Sequence, residues 1–153
     1  MNKILVATDF SPCSDAAIDL ACTIAERQGA TLTLLHVCQL PSYSYYGGGL
    51  YMAAPDLVES IKVDAERGLA AAAARVGARG IKSDSIHFVG EPADEIVRFA
   101  RQHAYPLIVL GTHGRRGLRR FLLGSVAEQV VRTADVPVLT WRAPGADGPA
   151  RAS

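Results

Sequence analysis

The chain reads as an α/β protein, a three-layer sandwich with helices on both faces of a parallel five-stranded sheet. Two observations predict it. Five short runs of branched apolar residues alternate with four segments whose apolar residues recur at helical spacing. The links between successive elements are short, which for a strand–helix–strand unit implies parallel strands joined by a right-handed crossover. At 153 residues, 49% of them apolar, the chain is long enough for one domain with a sizeable core.

Ile4 to Thr8 is the first strand, apolar enough to be covered on both faces. Asp9-Phe-Ser-Pro12 follows. Ser11 suits a helix N-cap, and Pro12 suits the first helical position, where no N–H is needed. Ala16, Ala17, Leu20, Ala21, Ile24 and Ala25 mark one helix face, and Gly29 ends the helix. Thr31 to Val37 is the second strand.

Residues 41–55 hold Pro41, four tyrosines, Gly47 to Gly49 and Pro55 without a period, so they read as an irregular, mobile loop. Tyr43, Tyr45, Tyr46 and Tyr51 could cover a base, form a partner surface or simply cap a loop tip. Leu57, Ile61, Ala65, Leu69, Ala72, Ala73 and Val76 then trace a long helix that ends near Gly77.

Ile86 to Val89 is the third strand, and Gly90-Glu-Pro92 turns into a helix with Ile96, Val97 and Ala100 inward. Leu107 to Leu110 is the fourth strand. Val126, Ala127, Val130, Val131 and Ala134 form the inner face of the helix after Ser125. The fifth strand, Val136 to Trp141, contains Pro137, which removes a ladder donor and assigns this strand to a sheet edge. One domain of residues 1–142 results, and residues 143–153 have nothing to bury and read as a disordered tail.

Composition excludes several function classes. A net charge of +1 argues against a general nucleic-acid surface. No apolar run is long enough for a signal segment or a membrane span, so a cytoplasmic protein is expected. Cys13, Cys22 and Cys38 show no CxxC pairing and read as reduced thiols, and the four histidines are too scattered for a metal site.

The chemistry concentrates between Leu107 and Ser125. There a strand breaks at Gly111 and Gly114, passes a basic segment, and reaches a helix start at Gly124-Ser125. Glycines allow backbone to approach a ligand, and a helix N-terminus offers N–H groups to an anion. A purely local reading also exists. The glycines could merely turn the chain, and Ser125 with Glu128 forms a capping-box pattern that would use the hydroxyl on the helix itself. Asp9 taken alone is more often a turn or cap residue, but its place after the first strand favours an acceptor for a ribose hydroxyl. His113, between the glycines, is either an exposed loop residue or a phosphoryl acceptor. Arg115, Arg116, Arg119 and Arg120 either steer a triphosphate or solvate a lid.

Gly111, two residues, Gly114, nine residues, then Gly124-Ser125 match the pattern G-x2-G-x9-G-[ST]. Together with Ile-Leu-Val-Ala-Thr-Asp9, Leu-Leu-His-Val37, Gly90-Glu-Pro-Ala93 and Pro-Val-Leu-Thr140, this resembles the universal stress protein family, specifically its ATP-binding branch. The resemblance implies a sheet of order 3-2-1-4-5 and usually a homodimer. It implies that Asp9 and the main chain at Val37 meet the adenine and ribose. Gly111 and Thr112 would lie near the ribose and first phosphate, and Gly114, Gly124 and Ser125 would cradle the phosphates with Val126 following. ATP is the expected ligand, with AMP or cyclic AMP as alternatives, and Mg²⁺ would come only with the nucleotide.

The function expected is a stress-response or signalling module whose ligand alters dimer or partner contacts. The protein partner is not named by any residue. The enzyme alternative is slow ATP hydrolysis or self-phosphorylation. It is the weaker one, because no GxxxxGK[ST] loop and no base placed beside a nucleophile is visible. The strand from Val136 to Trp141 would leave an unpaired edge, which predicts its pairing with a second copy.

Overall fold

The computed structural model describes residues 2–39, 55–112 and 123–142. Its elements are β1 (Lys3–Ala7), α1 (Pro12–Gln28), β2 (Thr31–Cys38), α2 (Pro55–Ala78), β3 (Ser83–Val89), α3 (Pro92–Gln102), β4 (Ile108–Gly111), α4 (Ser125–Thr133) and β5 (Val138–Trp141). All neighbours in the sheet are parallel and their order is β3-β2-β1-β4-β5. The three-layer α/β architecture and the strand order are those the sequence and its family resemblance predict.

Alternation along each strand divides the core. Ile4, Val6, Leu32, Leu34 and Val109 face α1 and α2. Leu5, Leu35, Val37, Ile108 and Leu110 face α3 and α4. Ile4, Leu5 and Val6 are all fully buried because β1 lies at the sheet centre with helices on both sides. Each such side chain contributes roughly 1.5–3 kcal/mol on burial. A deep polar pair on the α3/α4 side is satisfied: the Tyr105 hydroxyl donates to Thr33 Oγ1 at 2.8 Å.

Local signals act as expected at α1. Ser11 is the extended N-cap, its hydroxyl accepts the Ser14 N–H at 3.2 Å, and Pro12 opens the helix. Gly29 closes it with φ of 62°, and its N–H donates to the Ala25 carbonyl. On the outer surface Arg75 bridges Asp15 and Asp19, and Arg79 bridges Glu26, joining α2 to α1. These pairs are exposed, so solvent screens them and they add little to stability.

Three expectations need correction. β3 begins at Ser83, because Ser83, Asp84 and Ser85 pair with Leu32, Thr33 and Leu34 although they carry no apolar pattern. An edge strand can expose polar side chains, so the ladder outran the hydrophobic signal. Val131 is not inward: it is 49% exposed, while Ala127 and Val130 are buried. It sits on the flank of the apolar stripe, while α4 packs against α3 and β5. Pro137 precedes β5 rather than lying within it, and its carbonyl accepts the Ile108 N–H at 3.0 Å. The edge position it implied for the strand is nonetheless correct.

Among the described residues no helix is long and apolar enough to cross a membrane. The three cysteines are free, and burial pushes the Cys22 and Cys38 thiols above their ordinary range. The tyrosine-rich loop and the tail from residue 143 lie outside the described residues.

Candidate functional site

Three chain segments end together at the carboxyl edge of the sheet, where order reverses between β1 and β4. In parallel α/β sheets this is where a crevice opens, because the connections from neighbouring strands leave in opposite directions. The first segment follows β1. Thr8 prolongs the ladder, its N–H donating to the Leu35 carbonyl at 2.9 Å. Asp9 Oδ1 then accepts the Ser11 N–H at 3.1 Å, so its carboxylate closes the turn into α1. Asp9 is half-buried, which leaves it in reach of solvent as well.

A chain of buried hydroxyls underlies this turn. Ser14 Oγ donates to the Ser11 carbonyl at 2.9 Å. Its proton being committed, Thr8 Oγ1 must donate to Ser14 Oγ across 3.0 Å, and Thr8 Oγ1 in turn accepts the Phe10 N–H at 3.0 Å. Each donor has one acceptor, and among the described residues no buried side-chain oxygen or nitrogen is left without a partner. The turn that carries Asp9 is therefore anchored both to β1 and to α1.

The second segment is Gly111-Thr112 at the end of β4. The sequence suggested that glycine here gives a ligand room or supplies positive φ. The structure gives Gly111 a packing constraint. A Cβ at this position would lie 3.0 Å from the Cys13 carbonyl carbon and the Ser14 nitrogen, and 3.1 Å from the Cys13 oxygen. Its φ is not in the left-handed region. Glycine is required because the first turn of α1 packs directly on β4. Thr112 is buried, and its N–H donates to the Trp141 carbonyl at 2.9 Å.

The third segment is the start of α4. Gly124 is the N-cap, with φ of −60° and ψ of 151°, and Ser125 is the first helical residue. The Gly124 N–H donates to the Thr112 carbonyl at 2.7 Å, which ties the helix start to the end of β4. Two expectations change here. Gly124 has no free N–H to offer, and the capping box between Ser125 and Glu128 does not form, because the cap is one residue earlier. Ser125 is exposed, and its hydroxyl has no hydrogen-bond partner among the described residues. The N–H groups of Ser125, Val126 and Ala127 have no partner among the described residues. Those are the orphan donors every helix start carries, and here they stand next to Thr112.

Val37 contributes its main chain to this edge, since its side chain is buried among Leu35, Phe99 and the α3/α4 core. Val126 is half-buried against the same core. The structure thus brings Asp9, Val37, Gly111, Thr112, Gly124, Ser125 and Val126 to one edge. Gly114, Arg115 and Arg116, with His113, Arg119 and Arg120, lie outside the described residues. Among the described residues no group of three or more His, Cys, Asp or Glu could hold a metal ion.

Sequence reasoning missed Phe10, which has φ of 62° and stacks on His36 with ring centroids 4.4 Å apart. It also missed Thr8 and Ser14. A signal for Phe10 existed in Gly68, a glycine in mid-helix that costs about 1 kcal/mol relative to alanine and so implies a close neighbour.

Comparison with known proteins agrees with this fold. The sequence model of the universal stress protein family matches residues 1–142. Universal stress protein YxiE of Bacillus subtilis (strain 168) is 34% identical over 146 residues, covering 92% of this chain and 99% of that protein. Universal stress protein UspA from Lactobacillus plantarum has a similar structure, with TM-score 0.79, 27% identity, and coverage of 92% of this chain and 97% of that one. A universal stress protein in complex with cAMP has TM-score 0.70 and 27% identity, with 91% and 95% of the two chains covered. The universal stress protein from Archaeoglobus fulgidus in complex with dAMP has TM-score 0.68 and 26% identity, with 92% and 98% covered. On its sheet order and on a sequence match spanning every element, this chain belongs to the universal stress protein family.

Proposed function

We propose that the carboxyl edge of the sheet binds an adenine nucleotide, ATP foremost with AMP or cyclic AMP as alternatives. Occupancy then sets the dimer or partner contacts of a stress-response module. One observation carries the reading: three N–H groups at the start of α4, without a partner among the described residues, are tied through Gly124 and Thr112 to the strand end beside Asp9. They suit a phosphate, with the helix dipole adding about 0.3–1 kcal/mol per favourable charge. Asp9 suits a ribose hydroxyl and would repel phosphate, which orients the ligand. Related structures with cAMP and dAMP support the adenine nucleotide class. The Ser125 hydroxyl, exposed and without a partner among the described residues, supports the phosphate role given to it by the G-x2-G-x9-G-[ST] motif. Gly114 with Arg115 and Arg116 would complete the phosphate end.

Protein purified without added nucleotide and then denatured is expected to release ATP or AMP in near-stoichiometric amount. Stripped protein is expected to bind ATP with micromolar affinity, about 8 kcal/mol. Absence of released ligand together with absence of ATP binding by calorimetry would sink the proposal.

The homodimer expected through residues 136–141 gains support from β5 being an edge strand whose side chains are all half-buried. Val138→Asp is expected to halve the mass seen by sedimentation. An unchanged mass would place the subunit interface elsewhere.

A further inference from the structure

We infer that Phe10 is a positioning residue for the nucleoside end of this site, held by His36 and by the gap that Gly68 leaves in α2. The inference rests on the reading of Asp9 as the group that meets the ribose. Phe10 adopts φ of 62°, in the left-handed region that a bulky side chain rarely enters. Such a conformation persists only where the surroundings over-determine it.

Three contacts do so. The Phe10 N–H donates to Thr8 Oγ1 at 3.0 Å. The ring stacks on His36 at 4.4 Å with planes 30° apart. The ring tip lies against α2, where a Cβ on Gly68 would fall 2.6 Å from Cζ, 2.7 Å from Cε2 and 2.8 Å from Cε1. Glycine inside a helix of 24 residues weakens it, so this position is explained by the room the ring needs.

His36 is oriented by the same strand end. Its Nδ1 lies 2.8 Å from the Thr8 carbonyl oxygen, and since a carbonyl only accepts, Nδ1 carries the proton. Gly68, Phe10, His36 and Thr8 therefore form one stack linking α2, β2 and the end of β1. Asp9 sits in the chain between two members of that stack, Thr8 and Phe10. Its carboxylate is bonded to Ser11 one residue further on. A displacement of the ring rotates the peptide that joins Asp9 to Phe10, and the carboxylate with it.

The test compares ATP with 2′,3′-dideoxy-ATP, which lacks both ribose hydroxyls, by calorimetric titration of the full chain. Wild type is expected to prefer ATP by tenfold or more, and Asp9→Ala is expected to lose that preference. Gly68→Ala, whose added methyl displaces the ring, is expected to bind ATP tenfold more weakly and the dideoxy nucleotide within twofold of wild type. His36→Asn, which retains a donor for the Thr8 carbonyl and removes the stacked ring, is expected to do the same, and it decides the matter if Gly68→Ala does not fold. A stack that served stability alone would weaken both nucleotides together. If wild type shows the preference while Gly68→Ala and His36→Asn keep it, or lose both affinities in parallel, Phe10 does not position Asp9. If wild type shows no preference, the reading of Asp9 has failed and the inference falls with it.

Discussion

Gly111→Val is expected to destabilise the protein by about 3 kcal/mol with no nucleotide present. At this position the smallest added atom would already meet the backbone of Cys13 and Ser14 at 3.0 Å, tighter than ordinary van der Waals contact. Neither side can yield cheaply. The first turn of α1 is pinned by the Ser11 cap and the buried hydroxyl chain. β4 is held on both edges, by β1 through Leu110 and by β5 through Gly111 itself. Valine adds two methyls to a Cβ that does not fit, and overpacking against fixed backbone lies at the upper end of the usual range. Urea unfolding measures the loss, and a fall in Tm of roughly 6–12 °C should accompany it in a domain of this size. A variant that unfolded at the wild-type urea midpoint while losing only nucleotide binding would show that Gly111 serves the ligand and not the helix.

Ser125→Pro is expected to weaken ATP binding at least tenfold while leaving Tm within about 2 °C of wild type. Proline deletes the N–H of Ser125 together with its hydroxyl, two of the donors proposed for phosphate. A hydrogen bond to a charged group is worth about 1.5–3 kcal/mol, so losing even one suffices for the tenfold effect. The fold should tolerate the change, because the first helical position needs no intrahelical donor. Gly124 with ψ of 151° already has the extended conformation that a residue before proline prefers. The first helical bond, from the Glu128 N–H to the Gly124 carbonyl at 2.8 Å, is untouched. Ser125→Ala separates the hydroxyl from the N–H. Wild-type ATP affinity in the proline variant would remove α4 from the site.

These two positions differ in how much of their role the sequence reveals. Ser125 stands at a helix start in any reading of residues 107–134. Its choice between capping and exposure depends on where the helix begins, and that is set by the bond between Gly124 and the Thr112 carbonyl. These two partners are about a dozen positions apart in the chain, so no local pattern reports their contact. Gly111 looks like a loop glycine because the partner that requires it, the first turn of α1, is about a hundred residues away in sequence. Val131 carries the same lesson. Helical spacing assigns it to the apolar stripe, yet only the neighbours of α4 decide how wide a stripe is covered.

What the sequence determined by itself was everything governed by short-range chemistry. The strand and helix alternation, the Ser11-Pro12 start and Gly29 stop of α1, and the edge character of the strand after Pro137 all follow from residues within a few positions of one another. Tertiary structure alone decided the rest. It placed Phe10 in a left-handed turn over Gly68, set Gly111 against α1, and committed the Gly124 N–H to the Thr112 carbonyl. Each of those outcomes depends on a contact between segments distant in the chain. Sterics and hydrogen-bond satisfaction at such contacts become defined only when the sheet has brought the segments together.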